Sequence, residues 1–346
     1  MMQAEPSRPA FDILRAAHAE LFVADLGRAR AFYVDLLGLV ETASDAGHVY
    51  LRGLEERQHH SLALREAPDG RAEGEGGGGA SHIAFRVASS DDLEQLALLA
   101  ARDGLPHRWV EGDEEEEGQG RALRLRDPAG LPLEFYHHMD AAPRMLQQYH
   151  RHAAVQIMRL DHFNCQVPDV TVAAAWYRRE LGFRCTEYTV KRTDRGEELW
   201  AAWLTRKQTV HDLALMNGLG PRLHHVGFWL PDALAVLRAC DVLAAAGHHA
   251  AIERGPGRHG LSNALFLYVR DPDGNRVELY ANDYLTADPD AEPIRWEVDD
   301  PRRATFWGSY APPSWFDEAM RVSTIDGDGL MPLRAPTLRD RPEHVT

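Results

Sequence analysis

The sequence predicts an α+β fold in which four βαβββ units form two half-barrel domains. Three observations support this prediction: a tandem repeat covers most of the chain, strand-like alternation recurs within it, and helical apolar spacing lies between the strands. A chain of 346 residues also has room for two domains at roughly 150 residues each.

The tandem repeat relates the two halves at a shift of 144 residues. AHAELFVADLGRARAFYVDLLGL, from Ala17, aligns with DHFNCQVPDVTVAAAWYRRELGF, from Asp161. LRLRDPAGLPLEFY aligns with LYVRDPDGNRVELY at the same shift, and SHIAFRV aligns with HHVGFWL at a shift of 143. The boundary between the halves therefore falls near residues 145–157.

Each element of the second half follows from its own pattern. LDHFNCQV alternates as a half-buried strand does, VTVAAAWYRREL has helical spacing, and Gly182 is placed to end that helix. LWAAWLTR and TVHDLALMN predict the next strands. LHHVGFWLP then begins the second unit, whose helix ALAVLRACDVLAAAG closes at Gly247 and whose hairpin ALFLYVRDPDGNRVELYA turns at DPDG.

The chain divides into three expected parts. Residues 1–150 form the first domain, residues 151–290 form a catalytic metal-binding domain, and residues 291–346 form a tail. The tail carries Trp296, Phe306, Trp307 and Trp315, so we expect it to pack over the active site.

Two insertions fall between elements of the first half. EGEGGGG, residues 73–79, is typical of a flexible linker, and EGDEEEEGQG, residues 111–120, is typical of a solvated acidic loop. The carboxylates of Glu114 to Glu117 are candidates for binding a cation, although a charged surface loop is the simpler interpretation.

Composition excludes several classes of protein. The net charge of −15 disfavours binding to nucleic acid phosphates. No apolar run approaches the roughly 18 to 20 residues of a membrane span, and the start of the chain has no signal-peptide pattern. Cys165, Cys185 and Cys240 are scattered and show no CxxC spacing, so we expect a cytoplasmic protein without a disulfide framework.

Strand parity predicts which polar side chains face a pocket. His162 and Asn164 share the inward face of their strand, and Glu278 lies inward on the last strand. Of the adjacent pair in LHHVGFWL, His225 is expected to face the pocket and His224 the core. Two imidazoles and one carboxylate from three strands make up a facial triad, which leaves open positions on a divalent metal, Fe(II) being the first expectation.

Five segments of the second half and the tail form a distinctive set: LDHFN, KQTVHDLAL, GPRLHHVGF, IERGPGRHGLSNALFLYVRDPDGNRVELY and DPDAEPIRWEVDDPRR. Through these segments the sequence resembles the type I extradiol ring-cleaving dioxygenases of the vicinal oxygen chelate superfamily. The resemblance covers nearly the whole chain and is greatest to the members that cleave 3,4-dihydroxyphenylacetate. It implies extradiol cleavage of that catechol by dioxygen to 5-carboxymethyl-2-hydroxymuconate semialdehyde, as a step in aromatic compound catabolism.

The resemblance also implies roles for individual residues. His162, His225 and Glu278 would bind Fe(II) or Mn(II). His211 would lie beside the dioxygen position and donate a proton, and Tyr268 would hydrogen-bond the substrate oxygen.

Further residues would complete the pocket around the metal. His259 and Asn164 would orient the ligands and the substrate, and Trp203 would line an aromatic wall. Arg254, with Arg302 or Arg303 from the tail, would pair with a substrate carboxylate. Relatives of this kind imply a homo-oligomer, specifically a homotetramer.

The first half repeats part of this pattern. His18, His82 and Glu134 stand in the register of the three expected ligands, and His60 stands in that of His211. The position of Tyr268 is filled by Arg124. The resemblance therefore implies a first domain without an active site, while a second metal bound there stays open as an alternative.

Other functions fit the same fold. A glyoxalase-like metal lyase or isomerase would use a fuller protein coordination shell, and a non-catalytic protein would sequester an aromatic ligand without any metal. Another catechol, such as a DOPA-like compound, is an alternative substrate, because Ala304 follows Arg303 where the resemblance implies a further arginine.

Overall fold

The computed structural model describes residues 8–67, 78–112, 115–152, 155–288, 290–327 and 329–336. Over these residues the order βαβββ occurs four times and is followed by a short mixed tail. The predicted α+β fold of paired half-barrels is therefore confirmed. Residues 73–77 of the predicted glycine-rich linker lie outside the described residues, whereas Gly78 and Gly79 are described.

The first domain contains two units. Its strands are β1 (Ile13–Val23), β2 (Val40–Ser44), β3 (His48–Arg52), β4 (Leu62–Glu66), β5 (Gly79–Val87), β6 (His107–Val110), β7 (Ala122–Arg126) and β8 (Pro132–Tyr136). Its helices are α1 (Leu26–Arg30), a π-helical continuation (Ala31–Leu36), α2 (Ser90–Arg102) and a 3-10 turn (Tyr149–Arg151). Helix α2 begins with a capping box, in which Ser89 and Asp92 bond each other's backbone.

The second domain repeats this order. Its strands are β9 (Arg159–Val167), β10 (Arg184–Thr193), β11 (Gly196–Thr205), β12 (Leu213–Asn217), β13 (Arg222–Trp229), β14 (Ile252–Arg258), β15 (Leu265–Arg270) and β16 (Arg276–Ala281). Its helices are α3 (Val170–Glu180), α4 (Ala233–Ala245) and two 3-10 turns (His249–Ala251 and Leu261–Asn263). Gly182 follows α3 with a φ of +69°, as its predicted role at the helix end requires.

Strand pairing brings the functional strands together at the centre of each domain. β1 runs parallel to β4 and antiparallel to β5, and β5 runs parallel to β8. In the second domain β9 runs parallel to β12 and antiparallel to β13, and β13 runs parallel to β16. As a result, Gly227 on β13 lies between His162 on β9 and Glu278 on β16.

The opposite faces of these strands form the core. Phe163, Cys165 and Val167 on β9 are fully buried among apolar side chains beneath the helices, as strand parity predicts. Helix α3 covers this face, and the side chain of Asp169 caps its first turn.

The tail adds edge strands and short helices to both domains. Its elements are β17 (Ile294–Glu297), α5 (Pro301–Ala304), β18 (Trp307–Gly308), α6 (Ser314–Asp317) and β19 (Met320–Val322). β17 pairs with β10, β18 pairs with β14, and β19 pairs with both β13 and β5. Within the described ranges, no helix has the length and apolarity needed to cross a membrane.

Two details differ from the sequence predictions. TVHDLALMN is a strand only from Leu213 onward, so His211 lies in the preceding loop. A register shift between Leu223 and His225 forms a bulge in β13. His224 is fully buried at this bulge and packs against Trp315 at a ring distance of 4.4 Å.

Candidate active site

Three buried side chains from neighbouring strands converge in the second domain. The donor atoms of His162, His225 and Glu278 all lie within 4.8 Å of one another. Nε2 of His162 is 2.9 Å from Oε2 of Glu278, and Nε2 of His225 is 3.1 Å from the same oxygen. Burial opposes the charge of Glu278, but hydrogen bonds to the two imidazoles outweigh it and hold the carboxyl pKa well below its usual range. This group can receive a divalent cation.

The far side of the His162 ring is fixed by an acidic partner. Its Nδ1 lies 3.0 Å from Oδ2 of Asp161, which also pairs with the ammonium of Lys207 at 2.9 Å. Burial disfavours a charge on the imidazole, but Asp161 and Glu278 outweigh burial and raise the His162 pKa to about 9. Nδ1 therefore donates to Asp161, and Nε2 faces the cluster.

The far side of the His225 ring is fixed by His224. Nε2 of His224 lies 2.9 Å from the carbonyl oxygen of Trp315, which can only accept a hydrogen bond. Burial, followed by the charge of Arg276, lowers the His224 pKa well below its ordinary value, so this imidazole is neutral. Its Nδ1 must then accept from Nδ1 of His225 at 2.7 Å, which leaves the His225 Nε2 lone pair directed at Glu278.

Acid–base side chains surround the cluster. The ring of His211 lies 4.0 Å from that of His162 and bounds the cavity; its Nδ1 has no hydrogen-bond partner in the described part of the chain. Burial, and next the charge of His162, lowers the His211 pKa well below its ordinary value. The Tyr268 hydroxyl lies 2.9 Å from Nε2 of His259, whose Nδ1 donates to the carbonyl of Ala304.

A cavity of about 840 Å³, including its mouth, opens beside these groups. Asn164, Trp203, Arg254 and Arg303 contribute to its wall, as does Trp315 from the tail. The guanidinium of Arg254 lies 4.6 Å from the centre of the Trp315 ring and donates to the tail backbone. Burial, and next the neighbouring charge of Arg254, lowers the Arg303 pKa to about 10.

Arg302 does not reach this cavity. Its side chain is 70% exposed and pairs with Asp300 at 2.9 Å. Of the two adjacent candidates from the tail, only Arg303 lies at the cavity wall, because neighbouring residues of the short helix α5 point in different directions.

Comparisons with known proteins agree with the repeated architecture of the chain. Residues 15–135 and 159–279 each match the model of the Glyoxalase/Bleomycin resistance protein/Dioxygenase superfamily. A manganese-dependent 2,3-dihydroxybiphenyl 1,2-dioxygenase of Geobacillus genomosp. 3 is 33% identical over 309 residues, which are 86% of this chain and 94% of that protein. A metapyrocatechase of Geobacillus stearothermophilus is 30% identical over 331 residues, 91% of this chain and 96% of the relative.

Solved structures are similar along the whole chain. A homoprotocatechuate 2,3-dioxygenase of Brevibacterium fuscum, in complex with 3,4-dihydroxyphenylacetate, is 41% identical with a TM-score of 0.86, covering 95% of this chain and 99% of that one. The homoprotocatechuate 2,3-dioxygenase of Arthrobacter globiformis is 40% identical with a TM-score of 0.87, covering 96% and 99%. The chain belongs to the extradiol ring-cleaving dioxygenases. The expected family and reaction class, cleavage of a catechol, are thereby confirmed.

The first domain of this dioxygenase holds a second cluster that sequence reasoning described only in part. His18, His82 and Glu134 meet there as the repeat register predicts, and Glu116 from the acidic loop joins them. The sequence predicts a solvated loop here, yet Glu116 is only 1% exposed. The run of glutamates was the only signal for this residue, and it did not indicate which of them turns inward.

His224 is the other residue whose part in the site was missed. Strict alternation of side chains along the strand predicts that His225 is a ligand and that His224 is only a core residue. The bulge in β13 instead makes His224 the hydrogen-bond partner of His225.

Proposed function

We propose that this dioxygenase cleaves a catechol that bears a carboxylate, with 3,4-dihydroxyphenylacetate as its first substrate and 5-carboxymethyl-2-hydroxymuconate semialdehyde as the product. The observation that carries this proposal is the pair of buried guanidinium groups, Arg254 and Arg303, in the wall of the cavity. Two neighbouring buried cations favour an anion between them. The similarity to an enzyme solved with 3,4-dihydroxyphenylacetate supports the same substrate.

The proposed metal ligands are His162, His225 and Glu278, and the metal is Fe(II) or Mn(II). The donor set fits either ion, because each imidazole is held through Nδ1 so that Nε2 faces the carboxylate. Held by these three side chains, such an ion would supply Lewis-acid and redox chemistry that couples a catecholate to dioxygen. His162 has to lose its proton before Nε2 can act as a ligand, so metal binding releases a proton.

Tyr268 and His259 are proposed to orient the catechol. Burial, and next the charge of Glu278, raises the Tyr268 pKa well above its ordinary value, so its hydroxyl keeps its proton and can donate. His259 accepts from this hydroxyl because its own Nδ1 proton is committed to the backbone of Ala304. The single proton of the Tyr268 hydroxyl is thus directed at His259, which leaves the Tyr268 oxygen beside Glu278 to accept a hydrogen bond from a catechol hydroxyl.

His211 is proposed as the acid–base residue. It is neutral, buried beside His162, and has no hydrogen-bond partner on Nδ1 among the described residues, so this ring can hold or release a proton during ring cleavage. Asn164 and Trp203 would complete the walls that place the substrate and exclude water.

The proposed division of labour follows the three parts of the chain. Residues 1–150 would form a domain without an active site, residues 151–290 the catalytic domain, and residues 291–346 a cover for the pocket. Arg303 and Trp315 of the tail support the last assignment, since both line the cavity. Assembly as a homotetramer stays a prediction.

A panel of catechols tests this function. Anaerobically iron-loaded protein is mixed with 3,4-dihydroxyphenylacetate, a DOPA-like catechol, 2,3-dihydroxybiphenyl and unsubstituted catechol, and air is then admitted. We expect a yellow semialdehyde, formed fastest from the first compound, and no product from His162→Ala. Faster cleavage of 2,3-dihydroxybiphenyl would contradict the proposed carboxylate specificity while leaving the reaction class intact.

A further inference from the structure

The first domain contains a buried four-residue cluster that ring cleavage does not use. His18 on β1, His82 on β5, Glu134 on β8 and Glu116 from the loop before β7 each offer one ligand atom, and these atoms lie within 4.8 Å of one another. The four side chains are at most 1% exposed. From this geometry we infer that the first domain binds a divalent transition metal ion, with Zn²⁺ as the best fit, in a closed structural site.

The spacing of the donor atoms fits one ion at their centre. Zinc bonds to nitrogen and carboxylate oxygen measure about 2.0 to 2.2 Å, so the edges of a regular tetrahedron of ligands measure roughly 3.3 to 3.6 Å. Nε2 of His18 lies 3.3 Å from Nε2 of His82, 3.3 Å from Oε2 of Glu116 and 3.2 Å from Oε1 of Glu134. Nε2 of His82 lies 3.0 Å from the other Glu116 oxygen, Oε1, and 3.7 Å from Oε1 of Glu134.

The charges of the side chains around the cluster also favour binding of a cation. Glu116 and Glu134 share one guanidinium, since Arg124 donates to them at 2.8 and 2.6 Å. A third buried carboxylate, Glu20, lies 3.9 Å from Nδ1 of His82 on the far side of that ring, and its Oε2 has no hydrogen bond within the described residues. Glu20 also has the Arg65 guanidinium 3.8 Å away, so Glu116, Glu134 and Arg124 together leave one net negative charge, which favours a bound cation.

The surroundings indicate a structural site. A catalytic zinc site keeps three protein ligands and an open position, whereas this cluster supplies four ligands. Arg124 fills the space that corresponds to Tyr268, so a catechol has no room beside the ion. His60 lies 3.0 Å from Glu116 and holds its carboxylate in place. A narrow cleft that His82 and Arg124 help to line reaches this cluster.

Metal stoichiometry of the full-length protein tests this inference. Protein stripped with a chelator is titrated with Zn²⁺ alone, and bound metal per chain is measured by elemental analysis after gel filtration. We expect two ions per chain in the parent and one in Glu116→Gln, with the thermal midpoint of Glu116→Gln no longer raised by the second equivalent. One ion in the parent and one in Glu116→Gln would overturn the inference.

A second variant keeps the test decisive if Glu116→Gln does not fold. The double substitution His225→Ala with Glu278→Gln removes two proposed ligands of the active site and leaves the first domain intact. Retention of one Zn²⁺ per chain supports the structural site, and complete loss of metal overturns it. Ring cleavage is measured separately on the iron-loaded parent, so failure of the proposed function and failure of this site give different results.

Discussion

Gly227 is the position at which one added methyl group most directly tests the arrangement of the active site. An ideal Cβ at this residue would lie 2.3 Å from Cε1 and 2.4 Å from Nε2 of the His162 ring. Contacts of a Cβ atom under 3.0 Å essentially never occur, so Gly227→Ala forces the ring away by at least the difference, 0.7 Å. Metal ligands keep their distances to within about 0.2 Å, so His162 is lost as a ligand.

The expected loss is large. Removing a residue that merely orients a ligand weakens metal binding about 10- to 100-fold, and displacing a ligand should cost about 100-fold or more, equivalent to about 3 kcal/mol. The assay is chelator competition for Fe(II) or Mn(II), with the rate of semialdehyde formation measured at the same metal concentrations. Circular dichroism checks that the variant is folded.

A matched control lies in the first domain. Ala84 faces His18 across β1 and β5, as Gly227 faces His162 across β9 and β13. Ala84→Gly removes a methyl group at the equivalent position and should leave ring cleavage unchanged. Parent-like metal affinity and turnover in Gly227→Ala would refute the reasoning, because His162 could not then be the ligand held against that backbone.

Three further predictions follow from single contacts. Arg303→Gln should raise KM for 3,4-dihydroxyphenylacetate about 10- to 100-fold, because a hydrogen bond to a charged group contributes about 1.5 to 3 kcal/mol. Initial-rate measurements should show no such rise in KM for unsubstituted catechol, and an equal rise for both substrates would argue against carboxylate binding. His224→Phe removes the acceptor for His225 and should weaken metal binding about 10- to 100-fold in chelator competition; unchanged affinity would show that His224 does not orient the ligand. Burial raises the Glu187 pKa to about 7, above its unfolded value, so this residue's contribution to stability should be lost as pH rises through 7. The free energy of urea unfolding should depend less on pH in Glu187→Gln than in the parent, and an identical pH dependence would contradict the raised Glu187 pKa.

Much of the site could be predicted from the sequence because the tandem repeat and the strand alternation each predict the same inward-facing residues. His162 and Glu278 lie on regular strands, where alternation fixes the inward face, and their counterparts His18 and Glu134 occupy the same register. Burial of apolar side chains on the opposite strand face enforces this register, so the inward direction of these side chains could be predicted from the sequence alone.

The residues that strand alternation alone could not place lie where that alternation fails. His224 lies in a β-bulge, and His211, whose role is implied only by the family resemblance, lies in a loop before its strand begins. Glu116 comes from an insertion whose path depends on Arg124 and on three buried imidazoles. The choice between Arg302 and Arg303 is set by a helix of four residues, too short to show a period.

The most direct test of the central claim is the identity of the ring-cleavage product together with dioxygen consumption. Iron-loaded protein is given one equivalent of 3,4-dihydroxyphenylacetate in oxygenated buffer, and the product is analysed by mass spectrometry and NMR. We predict one dioxygen consumed per ring, with both oxygen atoms in a muconate semialdehyde, and no consumption by Glu278→Ala. A dicarboxylic acid from cleavage between the hydroxyl groups, or undiminished activity in Glu278→Ala, would contradict extradiol cleavage at this site.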